Sequence, residues 1–165
     1  MDGFAESMIA RGPTLAANRE TATGSLHVLG LPSVDAVREF VAHEPNNRAG
    51  VYAEHFIWRF ENLLGRTMWE FSPGADEPRF LIIARSNRKP GAGVISHENL
   101  PTALRERLIL YGTLSALDDA EPVGVALAVQ ARGREAVAEL IRDAGSGFDV
   151  FQDVDIHDWE FGGRR

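Results

Sequence analysis

The sequence repeats itself at a spacing of one hundred residues. Glu6, Ile9, Gly12, Ala16, Gly24, Ala36, Val37 and Glu39 meet Glu106, Ile109, Gly112, Ala116, Gly124, Ala136, Val137 and Glu139 without a gap. Apolar character is shared at Phe4/Leu104, Met8/Leu108, Phe40/Leu140 and Val41/Ile141. Self-similarity at a fixed period marks one supersecondary unit used twice, so the chain is expected to fold as two related halves. The 165 residues divide into a first unit over 1–72, a linker over 73–78 and a second unit over 79–165, with turn residues and charge combined in Ser72 to Glu77. The stretch from Arg79 to Asn99 has no counterpart ahead of the first copy. That copy is therefore expected to lack its leading strand and most of its first helix.

With 44% hydrophobic and 25% charged residues, the chain has material for a real core. The formal net charge of −7 and pI of about 5.2 leave no basic footprint for nucleic acid or an anionic membrane surface. No cysteine is present, which removes disulfides, thiolate nucleophiles and sulfur-ligated metals from consideration. No segment approaches the roughly 18 apolar residues of a membrane span, and the first residues do not pair a basic region with an apolar one. Cytoplasmic residence is the expectation.

Met8 to Leu15 and Ser25 to Leu31 read as strands. Ser33 offers an N-cap to a helix whose apolar stripe is Val34, Val37, Phe40 and Val41, and Pro45 is expected to stop it. A strand is expected over Val51 to Phe60. Thr67 to Phe71 reads as a short strand or buried arm, a candidate for the place of the absent leading strand. In the second half the pattern predicts a strand at Phe80 to Ala84, a loop at Asn87 to Gly93 and a short helix near Glu98 to Glu106. Strands at about Arg107 to Leu117 and Gly124 to Ala131, a helix at Arg134 to Asp143 and a last strand at Asp149 to Phe161 follow. That order, β-α-β-β-α-β, is the ferredoxin-like split β-α-β arrangement; the first half shows only β-β-α-β.

At Gly12-Pro13, Gly24-Ser25 and the segment Glu44-Pro45-Asn46-Asn47-Arg48-Ala49-Gly50-Val51-Tyr52, the chain resembles the YCII-like family of dimeric α+β barrel proteins. The resemblance covers about Met8 to Phe60; Phe80 to Trp159 matches in element order and keeps few of the motif residues. It implies an α+β fold of two ferredoxin-like units packed sheet to sheet, here both within one chain as an intrachain dimeric α+β barrel. It also implies a cleft for a small molecule bounded by sheet and helices. In family members a first-helix histidine and a nearby aspartate are linked to catalysis, and one branch is similar to dehydrochlorinases. Carried over by position, these roles fall on His97, 15 residues before Gly112, and on Asp118, six residues after it. Asn18 stands at the corresponding place of the first copy. Gly12, Pro13, Glu44 and Arg48 are the substrate-binding candidates, Glu44 replacing the family's aspartate.

An imidazole can take and return a proton near neutrality, and a carboxylate can orient it. A His97–Asp118 pair therefore suits cofactor-free lyase or isomerase chemistry. Against this stands an exposed His97 beside Glu98 and Asn99, and an Asp118-Asp119 pair serving an Asx turn before Pro122. Glu44-Pro45 equally reads as a helix stop, and Arg48 as a surface residue or an anion-binding fork. His27 and His55 read as strand residues and His43 as a cation at a helix end. Asp153, Asp155, His157 and Asp158 are the one metal-like grouping, and its spacing lacks a second histidine, so no metal and no cofactor are expected. Trp58, Trp69, Trp159, Phe56, Phe60 and Phe161 are expected at the interface of the copies. Two functions follow: a small-molecule enzyme using proton transfer on an aromatic or carboxylate substrate, or a non-catalytic binding or assembly module. A homodimer is open to either.

Overall fold

The computed structural model describes residues 2–72, 76–86, 96–145 and 148–163. A 3-10 turn at Asp2–Ser7 leads into β1 (Met8–Leu15) and β2 (Ala22–Leu29), then α1 (Val34–His43), α2 (Pro45–Arg48) and β3 (Arg59–Asn62). After a 3-10 turn at Met68–Glu70 come β4 (Arg79–Arg85), a 3-10 turn at His97–Asn99, α3 (Thr102–Arg105), β5 (Leu108–Ser115), β6 (Pro122–Gln130), α4 (Arg134–Asp143) and β7 (Asp153–Trp159). Among the described residues every strand joins one antiparallel sheet in the order β2-β1-β7-β4-β6-β5-β3.

The core shows that this sheet curls. Laid flat, β2 and β5 would lie about 24 Å apart at the usual strand spacing. Yet Ala10, Val28, Leu81, Leu110, Ala128 and Trp159 share one buried cluster, with Phe60 of β3 packed against it. The fold is thus a mixed α+β barrel whose seven-stranded sheet nearly closes. A second cluster lies on the outer face, where Val137 and Leu140 of α4 and Leu104 of α3 cover Phe80, Ile82, Leu108, Val125 and Leu127. The strands β7-β4-β6-β5 with crossovers α3 and α4 form a complete split β-α-β unit. β1 joins it through Thr14 opposite Trp159, and β3 through Arg59–Asn62 opposite Ser115–Gly112.

The hairpins β1–β2 and β5–β6 have the same register one hundred residues apart. Met8 faces Leu29, Ala10 faces Val28, Gly12 faces Leu26, Thr14 faces Gly24 and Leu15 faces Ala22. Leu108 faces Val129, Leu110 faces Ala128, Gly112 faces Ala126, Leu114 faces Gly124 and Ser115 faces Pro122. The register slips at matching places in both, and α1 and α4 span matching residues. Gly12 and Gly112 are glycines for a matching reason: a Cβ would lie 1.8 Å from the Glu160 carbonyl oxygen at the first and 2.2 Å from that of Glu61 at the second. Asp158, buried on β7, ties distant elements together. It accepts from Arg19 of the β1–β2 turn, and from Arg134 Nε at 2.9 Å and Nη2 at 2.5 Å.

Four elements differ from the sequence reading. Residues 51–58 form no strand, because β5 offers pairing only to Arg59–Asn62; Val51 and Phe56 are left exposed. Phe56 therefore stands outside the aromatic core, which takes Trp159, Trp69, Phe60 and Phe161. Thr67 to Phe71 is a 3-10 turn, closed by Glu70 Oε2 accepting from the Thr67 N–H at 2.7 Å and hydroxyl at 2.9 Å. It pairs with no strand; Met68 is instead buried in the barrel interior, its sulfur 3.3 Å from the Arg11 N–H. Pro45 starts α2 as well as ending α1, since proline at the first helical position sacrifices no hydrogen bond. The expected helix at 98–106 is split into the 3-10 turn and α3 by Pro101. The expected loop at 87–93 lies outside the described residues.

Candidate functional site

Where β1, β2 and α2 meet, a cavity of about 370 Å³ opens between Gly12-Pro13, Gly24-Ser25, Asn46 and Tyr52. Alternation along β1 puts Arg11 on the Pro13 face, and Arg11 also lines the cavity. Local hydrogen bonds fix its far wall. Glu44 caps α2 with Oε2, accepting from the Asn47 N–H at 2.7 Å, and its Oε1 accepts from Asn46 Nδ2 at 3.3 Å. Asn46 Nδ2 also donates to the Tyr52 hydroxyl at 3.2 Å, and Asn47 Nδ2 ties back to the Val41 carbonyl at 2.8 Å. Gly50, at φ 67°, makes the turn that returns Tyr52 over Asn46; its conformation is one that glycine adopts without strain. The C-terminal segment supplies the remaining wall. Gly162 donates to the Arg11 carbonyl at 2.8 Å, Glu160 to that of Pro13 at 3.2 Å, and Trp159 Nε1 to that of Gly12 at 3.2 Å.

Behind this wall lies His27, directly across from Arg11 on β2 and edge-on to the Phe40 ring at 5.5 Å. Burial, reinforced by the Arg11 guanidinium, pushes its pKa below the usual histidine value, with the Glu44 carboxylate opposing. The imidazole is thus disposed to stay neutral.

A second cavity, of about 440 Å³ and more open, lies at the start of β5 and is lined by Leu64, Arg66, His97, Thr102, Arg105 and Glu106. His97 sits in the 3-10 turn that Ser96 caps by accepting from the Glu98 N–H. Asp118 does not line this cavity. It is exposed beyond Ser115, at the far end of β5, and eight strand residues span about 23 Å. Its neighbour Asp119 closes an Asx turn, accepting from the Glu121 N–H at 2.9 Å.

Of the substrate-binding candidates, Gly12 and Pro13 line the first cavity, and Glu44 stands one hydrogen bond behind it. Arg48 is exposed in the last turn of α2 and lines neither cavity. The acids of the last strand face arginines: Asp153 and Asp155 pair with Arg85 at 2.6 and 2.8 Å, and Asp158 with Arg19 and Arg134. Among the described residues no group of three or more histidines and acids is placed to hold a metal ion. Sequence reasoning passed over Arg11, although the period of two places it beside Pro13. It also passed over Arg66 and Arg105, which come from segments with no shared pattern.

The fold and first cavity define an α+β barrel-like protein with a small polar pocket at the end of a β-hairpin. Residues 3–61 match the family model of the YCII-related domain. The match spans β1 to β3 and every residue named at the first cavity except those of the C-terminal segment. No curated protein and no solved structure matches the chain. Among the described residues no helix is long and apolar enough to cross a membrane.

Proposed function

We propose that the chain is a tandem of two YCII-like units, over 1–72 and 79–165, that binds a small organic anion in the cavity at Arg11, Pro13, Ser25, Asn46 and Tyr52. Support for the tandem comes from the common register of the hairpins and the matching spans of α1 and α4. The observation that carries the binding role is that Gly12-Pro13, Gly24-Ser25, Asn46 and Tyr52, scattered over 41 positions, line one cavity with a guanidinium on it. The fork of Arg11 suits a carboxylate or phenolate, while the Tyr52 hydroxyl, Asn46 amide and Ser25 hydroxyl supply polar contacts. Among the described residues no histidine or carboxylate lines this cavity, and its arginine, amide and hydroxyl groups suit binding.

The test is isothermal titration with benzoate at low ionic strength. Saturable binding that weakens at least about tenfold in Arg11→Met, equivalent to about 1.4 kcal/mol, is the expected result. Unchanged affinity in that variant, or no saturable binding at millimolar benzoate, would contradict the reading. The enzymatic alternative draws on a separate observation: His97 and Glu106, a base and an acid, line the same second cavity. Cofactor-free proton transfer there requires Glu106 in the role that position assigned to Asp118. His97→Ala would then abolish turnover with little change in melting temperature.

A further inference from the structure

The second cavity carries two guanidiniums, Arg66 and Arg105, in a chain whose formal net charge is −7. Several arginines of the molecule are matched to acids: Arg19 and Arg134 to Asp158, Arg38 to Asp35, Arg85 to Asp153 and Asp155, Arg107 and Arg132 to Glu77. Arg66 and Arg105 are not. Among the described residues no carboxylate lies within ion-pairing distance of either, although Glu106 is on the same cavity. Arg66 donates to the Leu108 carbonyl at 2.7 Å and lies over the Phe71 ring at 5.9 Å, contacts that fix its direction without neutralising it. Arg105 donates to the Thr102 hydroxyl at 3.1 Å. Each also keeps a buried Nε–H with no acceptor. Two like charges on one cavity repel unless a shared anion compensates them, and both are held by the surrounding fold before any ligand arrives.

We infer that this cavity is a binding site for a small organic dianion, each guanidinium fork taking one anionic group and Leu64 meeting the carbon skeleton between them. The planar donors of arginine pair bidentately with carboxylate or phosphate oxygens, and the 440 Å³ volume is within the range of small-molecule pockets. Thr102 and His97 add donors at the rim. The site differs in place from the Arg11 cavity. It lies at the start of β5, whereas the residues matching that cavity in the second hairpin are Tyr111–Thr113 and Val123–Val125. Arg66 comes from the segment after β3, so the first half of the chain contributes to a site on the second.

The experiment is isothermal titration of the full chain with succinate, inorganic phosphate and acetate at low ionic strength, repeated on Arg66→Met, Arg105→Met and Arg11→Met. The expected result is saturable binding of succinate or phosphate, with acetate at least about tenfold weaker, and a loss of at least tenfold in either the Arg66 or the Arg105 variant. Which of the two dianions binds better identifies the anionic group. Arg105→Met keeps the test open should Arg66→Met unfold on losing its bond to Leu108. Equal affinity of the wild type and both variants overturns the site, as does an absence of saturable binding by either dianion. Binding that depends on Arg11 and not on Arg66 or Arg105 places succinate in the first cavity; it overturns this inference and leaves the proposed function standing.

Discussion

Hairpins β1–β2 and β5–β6 follow one backbone plan, down to their irregularities, yet their side chains live in different surroundings. Every residue of β5 is buried and β6 is buried from Gly124 onward, because β3 and β4 flank the pair and α3 and α4 cover it. β1 is buried only at alternate positions, and β2, at the edge of the sheet, buries only Val28. A strand paired on both sides and covered on both faces is mainly apolar, Thr113, Ser115 and Gln130 being the buried polar side chains of this pair. A hairpin at an edge is free to keep Arg11, Ser25 and His27. The difference teaches that two hairpins of one register can serve different ends, β5–β6 lying in the framework of the sheet and β1–β2 lining the first cavity.

The glycines probe where the shared plan holds and where it breaks. Gly12→Ala and Gly112→Ala each drive a Cβ into a backbone carbonyl and are expected to cost about 3 kcal/mol, the upper end for overpacking. Gly124→Ala meets the Ala84 carbonyl at 2.4 Å and costs nearly as much, whereas Gly24→Ala meets only the Thr14 hydroxyl at 2.9 Å and costs under about 1 kcal/mol. Urea unfolding of the four variants measures this. Equal losses at Gly24 and Gly124 would remove the contrast between edge and framework.

Acid sharpens the same contrast on a smaller scale. His27, in the first hairpin, has a folded pKa below the ordinary histidine value of 6.5, so the unfolded chain binds its proton first. Stability is expected to fall as pH drops through the interval below 6.5 and to level off once His27 is protonated in the folded state too. His27→Gln should flatten that interval in a plot of melting temperature against pH. Glu77, ahead of β4, behaves oppositely in cause and lower in range. Its hydrogen bond from Arg107, with Arg132 beside it, holds its pKa below the ordinary carboxylate value of 4.5, so its contribution is present above that value and fades as pH falls through the folded one. A single transition at one pH in both wild type and His27→Gln would contradict the assignment.

Helices α1 and α4 were the most legible part of the chain. Ser33 caps α1 by accepting from the Ala36 N–H, as its place before the apolar stripe implies, and α4 runs over Arg134–Asp143 as the pattern predicts. Local chemistry sufficed there. It also held the signal for the turn at Thr67, where Thr and Glu three residues apart form a reciprocal pair, but an apolar Met-Trp between them reads equally as strand. The missing strand over 51–58 was not legible, since strand formation needs a neighbour and the sequence does not say which edges are free. At the sites, the motif residues of the first cavity were readable as a resemblance. Arg66 and Arg105 were not, because their meeting depends on how the segment after β3 crosses to the start of β5. Asp118 was placed by spacing alone, and the length of β5 carries it away from His97.

Native-state hydrogen exchange tests the division between the hairpins most directly. The β6 amides from Val125 to Val129 are expected to exchange only through global unfolding, and the β2 amides bonded to β1 through local opening at least about 2 kcal/mol lower in free energy. Equal protection in β2 and β6 would contradict the account: the first hairpin would then be as much framework as the second.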